Sequence, residues 1–362
     1  MRGVVLRQKG PEPVLAVEIL PMPQLSKGEI LVRVQYAAVT SHDLALIQGT
    51  RESLRPVPFS PGYVGSGVVV ACGDPLHRWR FVGKRVAFLA LGAWAEYTVT
   101  PSDSCFILSD LISSEQAVSL FFTPLTITMF EELLDALKST GVIQTAGVPD
   151  ISCAFLRICN YRKLPCVSVV SSMQVADRLF ELGARYLILD TDPKFKEKIA
   201  ILAQEVTADC AFDSCGGEVA GAVLTALGEG GTLYCYEVAY NSAVISEIQP
   251  QALIFQKKRM IGVDVLAWWN RKTALQKMSI ISHIQKYYFM YRTDVLQSFP
   301  IGDLRAAMAW TGERPGDGIA VLRMDRFPDR LGEEEKTGEV EQIGEVELSL
   351  LQQSPPEDQS SP

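Results

Sequence analysis

Five short apolar runs alternate with four stretches of helical periodicity across the middle of this chain, and that alternation leaves few folds open. The runs are 142–146, 166–170, 186–189, 210–212 and 231–236, and helices are expected over 151–160, 174–182, 195–206 and 219–227. Strands that are apolar on both sides need cover on both faces, and helical crossovers between them favour parallel pairing. The pattern therefore predicts an α/β region built on a doubly wound parallel sheet. Its first unit, T-G-V-I-Q-T-A-G-V-P-D-I-S-C from Thr140 to Cys153, is a strand ending at Gly147, a turn through Val148, Pro149 and Asp150, and a helix. Such a turn sets backbone N–H groups at a helix N-terminus, where the pyrophosphate of a dinucleotide can be held. Here the turn is short of glycine.

The first third reads differently. Apolar runs at 3–6, 15–19 and 30–39 are separated by Pro-rich turns, 60–73 is a glycine-punctuated β segment, and 84–99 supplies two further strands. Irregular β structure of this kind suggests a partly open barrel. A helix is expected to start at Ser114 and run into Thr123–Thr126, with helical spacing continuing from Phe130 to Leu137. Residues 260–268 read as a late strand of the parallel sheet, 280–290 and 301–310 as helices, and 319–324 as a closing strand. From Leu331 onward the composition turns to Glu, Gln, Ser and Pro, and an acidic, disordered tail is expected. Val340, Ile343, Val346 and Leu350 would give that tail one apolar face to offer a protein partner.

Charge has to be located before it is interpreted. The formal net charge is −8, and residues 331–362 alone hold nine acidic residues against one Lys, so residues 1–330 balance to zero. A neutral body lacks the basic footprint of nucleic-acid binding, and no nucleic acid is expected as a partner. No apolar run reaches the ~18 residues needed to cross a bilayer, and no membrane association is expected. The opening M-R-G-V-V-L enters a strand pattern without a secretory or presequence signature, which points to the cytoplasm. The eight Cys form no C-x-x-C pair and read as free thiols in a reducing compartment. The three His, at 42, 77 and 283, are scattered and no Cys cluster follows Trp94, so no zinc site is expected.

Several segments taken in order carry a resemblance. They are Y-A-A-V-T-S-H-D-L-A-L-I-Q-G at 36–49, V-I-Q at 142–144, C-G-G at 215–217, G-G-T-L at 230–233, L-I-F-x-x-x-x-M-x-G at 253–262, and Trp268-Trp269. Together they resemble the zinc-free branch of the medium-chain dehydrogenase/reductases, near the mitochondrial 2-enoyl thioester reductases and the quinone oxidoreductases. The resemblance covers nearly all of residues 1–326. It implies a β-rich GroES-like catalytic domain over 1–120 and 271–330, a Rossmann-type nucleotide domain over 121–270, and the tail over 331–362. It also implies NADPH as cofactor, with NADH as the alternative. A homodimer through the edge strand near Met260–Trp268 follows, and a mitochondrial location becomes the alternative to the cytoplasm.

The same resemblance implies where a cofactor would lie. The positions are Thr123, the turn Gly147, Val148, Pro149, Asp150, Ile151 and Ser152, and the second strand's end at Ser171, Ser172 and Met173. The loop Tyr236, Glu237, Val238 and Ala239 and the segment Val263, Asp264 and Val265 complete the set. Four departures from the family's pattern fall at cofactor and acid positions. Asp150 sets a carboxylate where a pyrophosphate would be, although it suits a helix N-terminus. The second strand's end has hydroxyls and no cation for a 2′-phosphate, with Arg178 one helical turn on to reach back. Tyr236–Ala239 replaces a glycine-rich loop. Arg51 stands where the enoyl reductases carry a proton-donating Tyr; an Arg can bind a thioester carbonyl but cannot release a proton, which leaves Tyr63 as the substitute acid.

Three functional readings result. The first is a zinc-free NADPH-dependent reductase of an enoyl thioester or a quinone-like enone, a small-molecule enzyme. The second is a catalytically impaired relative kept as a binding or assembly module. The third, an RNA-binding relative of the quinone oxidoreductases, rests only on Lys257-Lys258-Arg259 and Arg78-Trp79-Arg80.

Overall fold

In a computed structural model, the alternating region forms one six-stranded sheet with every pair parallel. The order is Tyr186–Leu189, Cys166–Val170, Val142–Thr145, Cys210–Asp213, Thr232–Cys235 and Arg259–Gly262. The structure describes residues 1–49, 56–237, 244–293, 296–313 and 318–324, so the acidic tail lies outside the described residues. The three innermost strands of the first half, Cys166–Val170, Val142–Thr145 and Cys210–Asp213, are buried at every position. That is the reason their sequences are apolar on both sides. Buried polar residues within them are hydrogen-bonded: the Gln144 amide donates to Ser168 Oγ at 2.9 Å and to the Ser152 carbonyl at 3.3 Å. The first strand is thereby tied both to its neighbour and to the helix that follows it.

Strand order reverses between Val142–Thr145 and Cys210–Asp213. At such a reversal the connecting helices leave in opposite directions and a crevice opens beyond the carboxyl ends of the strands. Beneath it lies an aromatic core. Phe130 and Phe212 stack with centroids 3.8 Å apart, and Phe155 meets them edge-on at 5.3 and 5.2 Å. All three are fully buried, and each contributes about 1.5–3 kcal/mol by leaving water.

The first third and the last described strands form a second, mostly antiparallel sheet. Its order is Leu296–Pro300, Ile319–Arg323, Glu29–Val39, Val64–Cys72, Arg85–Leu89 and Cys105–Ile107, with Tyr97–Pro101 also on Glu29–Val39. Gly67 is required there: a Cβ would sit 2.0 Å from the Arg33 carbonyl oxygen on the neighbouring strand. The hairpin of Arg2–Gln8 and Val14–Ile19 joins through bridges from Gly3 to Ala95 and Leu6 to Phe59. The α/β class with one antiparallel and one parallel sheet is as the sequence led us to expect.

Two local expectations fail. The helix starting at Ser114 does not run into Thr123: Ser114–Ala117 ends after one turn and a separate helix occupies Phe122–Leu137. Pro124 explains the break, because proline is accommodated in a first helical turn and not in an interior one. Residues 260–268 are not one strand either. The strand is Arg259–Gly262, and Asp264 then caps a helix over Val265–Asn270 by accepting from the N–H groups of Leu266 and Ala267 at 2.8 and 3.0 Å. Apolarity was mistaken for strand where an Asp N-cap signalled a helix. All eight Cys are free, six of them buried.

Candidate active site at the carboxyl ends of the parallel sheet

A buried polar network closes the floor of the crevice. Thr145 Oγ1, at the end of the first strand, donates to Asp213 Oδ1 at 2.8 Å across the point of reversal. Asp213 also accepts from the backbone N–H groups of Cys215 and Gly216 at 3.3 and 3.0 Å. The turn that supplies them depends on Gly216 and Gly217, both at positive φ. Burial raises the Asp213 carboxyl above the usual carboxylate range, against the pull of the Thr145 and Gly216 bonds. Ser214 Oγ donates to the Thr145 carbonyl at 2.9 Å and accepts from Gly147 N–H at 3.1 Å. The N–H of Gly147 is therefore spent inside the protein. Burial also pushes the Cys215 thiol up to about 12 and raises the Tyr236 phenol, against the pull of a hydrogen bond with Ser214. Neither the Cys215 thiol nor the Tyr236 phenol is ionised near neutral pH.

Above the floor, the helix Pro149–Arg162 points its N-terminus at the crevice. Pro149 has no N–H, but Asp150 and Ile151 follow it in the first turn, where backbone donors have no acceptor further back in the helix. Asp150 is 5% exposed. Its Oδ1 accepts from Arg178 Nη2 at 3.1 Å, reaching over from the helix Met173–Glu181. Arg178 thus meets Asp150, and the pair brings one negative and one positive charge to the place where a pyrophosphate would be held. A lone buried carboxylate there would oppose an anion strongly; a paired one opposes it much less.

The cleft itself lies between the two sheets' elements. One lobe of about 470 Å³ is lined by His42, Phe122, Thr126, Met129, Ile151, Tyr236, Glu237 and the segment Gly262–Val265. A smaller lobe of about 140 Å³ shares His42, Phe122, Ile151 and Glu237 with it and adds Thr123, Val148 and Asp150. His42 comes from the helix Ser41–Gln48, whose start is fixed by a capping box between Thr40 and Asp43. Its ring stacks on Phe122 with centroids 4.4 Å apart at 20°, and its Nε2 lies 3.8 Å from Glu237 Oε2. An imidazole held by a ring on one side and a carboxylate on the other is fixed in place at the common wall of both lobes.

The residues singled out from sequence distribute unevenly. Thr123, Val148, Asp150, Ile151, Tyr236, Glu237, Val263, Asp264 and Val265 line the cleft. Gly147, Pro149 and Ser152 are buried in or just behind the turn. Ser172 caps the helix Met173–Glu181 by accepting from Val175 N–H at 3.3 Å, and with Ser171 and Met173 it lies beyond the second strand, outside the cleft lining. Tyr63 is half-buried against both apolar cores and does not line the cleft. Arg51, Val238 and Ala239 lie outside the described residues. His42, Phe122, Thr126 and Met129 were missed. The signal for His42 was present in Thr40-x-x-Asp43, a helix start that puts residue 42 in an open first turn. Among the described residues no three His, Cys, Asp or Glu converge to hold a metal ion.

Comparison with known proteins agrees with this layout. Residues 26–110 match the alcohol dehydrogenase GroES-like domain. The "Probable quinone oxidoreductase" of Schizosaccharomyces pombe is 28% identical over 72% of this chain and 79% of its own length. The mitochondrial enoyl-[acyl-carrier-protein] reductase of Arabidopsis thaliana is 21% identical over 87% of this chain and 86% of its own. Among solved structures, Escherichia coli quinone oxidoreductase complexed with NADPH superposes with a TM-score of 0.76 at 18% identity, covering 90% of this chain and all of that one.

Proposed function

The chain belongs to the medium-chain dehydrogenase/reductase superfamily, and on that footing we propose that it is a zinc-free, NADPH-dependent reductase of an enoyl thioester or a quinone-like enone. The observation that supports this most is the cleft at the reversal of strand order. One wall presents a helix N-terminus with its carboxylate balanced by Arg178, and the opposite wall presents a fixed imidazole. The names of the relatives, a quinone oxidoreductase and an enoyl reductase, both denote reduction of a conjugated acceptor.

A dinucleotide would be held by the first turn of Pro149–Arg162, by Ile151 and Val263 against its nicotinamide half, and by Thr123 and Thr126. Bound there, NADPH supplies a hydride. The chain's own residues then have two tasks. The apolar Phe122 and Met129 exclude water from the reacting carbon, and a proton must reach the carbon or oxygen where the electron pair arrives. His42 is the residue we assign to that second task, with Glu237 restoring its proton from solvent. The enzyme is proposed to act as a homodimer through the strand Arg259–Gly262, an exposed sheet edge that offers Met260 and Ile261. The test is NADPH oxidation with a crotonyl thioester and with a benzoquinone. Oxidation that depends on one of these acceptors is expected; none with either would overturn the assignment.

A further inference from the structure

Away from the cleft, a groove of about 390 Å³ runs between the helix Arg78–Phe81, the strand Cys105–Ile107 and the helix Ala274–Lys286. It shares no lining residue with the two lobes of the cleft. Phe81, Phe106, Met278 and Ile281 line it with apolar surface, and Lys277 and Arg80 bring positive charge.

Lys277 is the feature that calls for an explanation. It is 8% exposed, and its ammonium has one hydrogen-bond partner, Asp103 Oδ2 at 3.3 Å. The Asp103 side chain is itself about half exposed, at 54%, so much of its charge is spent on water. The ammonium also lies over the face of Trp269, 5.3 Å from the ring centre. An ammonium has three donors, and burying one with a single long ion pair leaves a cost that another acceptor would offset. Arg80 adds to the imbalance. Its guanidinium lies 5.2 Å from the Phe81 ring centre, and among the described residues it has no carboxylate partner. Among the described residues that line the groove, Asp103 is the carboxylate and there is no second one, while burial pushes the Cys105 thiol up to about 12. His77, also at the groove, is engaged by Asp74 at 3.1 Å.

We infer that this groove is a second small-molecule site, for a carboxylate borne on a medium-length hydrocarbon chain. The carboxylate supplies the acceptor that Lys277 lacks and meets the charge of Arg80, while the chain lies along Phe81, Phe106, Met278 and Ile281. The apolar lining alone would take any hydrocarbon. The two cations select the anion.

The experiment is calorimetric titration of the full chain with decanoate below its micellar concentration, with decanol and acetate as probes lacking the charge or the chain. Decanoate should bind and be weakened roughly tenfold by Lys277→Met and by Arg80→Glu, the size of one lost charge-assisted contact. Decanol and acetate should bind at least tenfold more weakly than decanoate. Equal binding of decanol, or decanoate affinity unchanged in the variants, would reduce the groove to a non-selective apolar surface and overturn the inference, as would the absence of decanoate binding. Arg80 is exposed, so Arg80→Glu keeps the test decisive if Lys277→Met fails to fold. NADPH oxidation is not part of the readout, so this result stands apart from the fate of the reductase assignment.

Discussion

His42→Gln is expected to lower kcat for reduction of the enoyl or quinone acceptor by about 100-fold while moving KM little, the usual contribution of a positioned general acid. The expectation comes from position: His42 is the imidazole on the wall common to both lobes, stacked on Phe122 and 3.8 Å from Glu237. The alternatives are poorer acids in this site. Tyr63 does not line the cleft, and burial raises the Tyr236 phenol well above its ordinary value. A purely structural role for His42 would move KM or stability and leave kcat intact. A fall in kcat of less than about threefold, below what a positioned acid contributes, would remove His42 from the chemistry.

Asp150→Asn is expected to tighten NADPH binding roughly tenfold, measured by titration of the two proteins side by side. Two unit charges about 5–6 Å apart near a protein surface interact by about 3 kcal/mol, and a cation beside one of them cancels a large part. Arg178 is that cation, at 3.1 Å. A residual penalty of about 1.4 kcal/mol corresponds to the tenfold change. Asparagine keeps the size of the side chain and its fitness at a helix start. Unchanged affinity would mean that the carboxylate is not felt by the nucleotide. Weaker binding would mean that Asp150 holds Arg178 where the nucleotide needs it.

The parallel sheet was legible because its central strands are buried on both faces, so apolar runs such as Cys166–Val170 mark their own limits without reference to partners. Short helices were not. Ser114–Ala117 and Val265–Asn270 are set by single capping residues, Ser113 and Asp264, whose effect depends on a hydroxyl or carboxylate reaching two or three residues on. Apolar periodicity alone cannot see them. The candidate site divides in the same way. The turn Gly147–Asp150 was found because strand, turn and helix are consecutive in sequence. Its partner Arg178 is 28 residues away, and the sequence could show only that it was within a helical turn of the second strand. His42 and Glu237 are nearly 200 residues apart, and only the packing of one sheet's helices on the other's strand ends brings them to 3.8 Å. Asp150 looked like an argument against a bound anion. Paired with Arg178, it becomes a reason for weakened and adjustable affinity.

A cleft that holds a nicotinamide dinucleotide must be stabilised by it, and this is measured as the wild-type melting midpoint with and without NADPH. A ligand that binds only the folded chain contributes about 2.7 kcal/mol at 100 times its dissociation constant. The midpoint should rise steadily with NADPH and rise less with NADH. A midpoint unmoved by either nucleotide at millimolar concentration would contradict it.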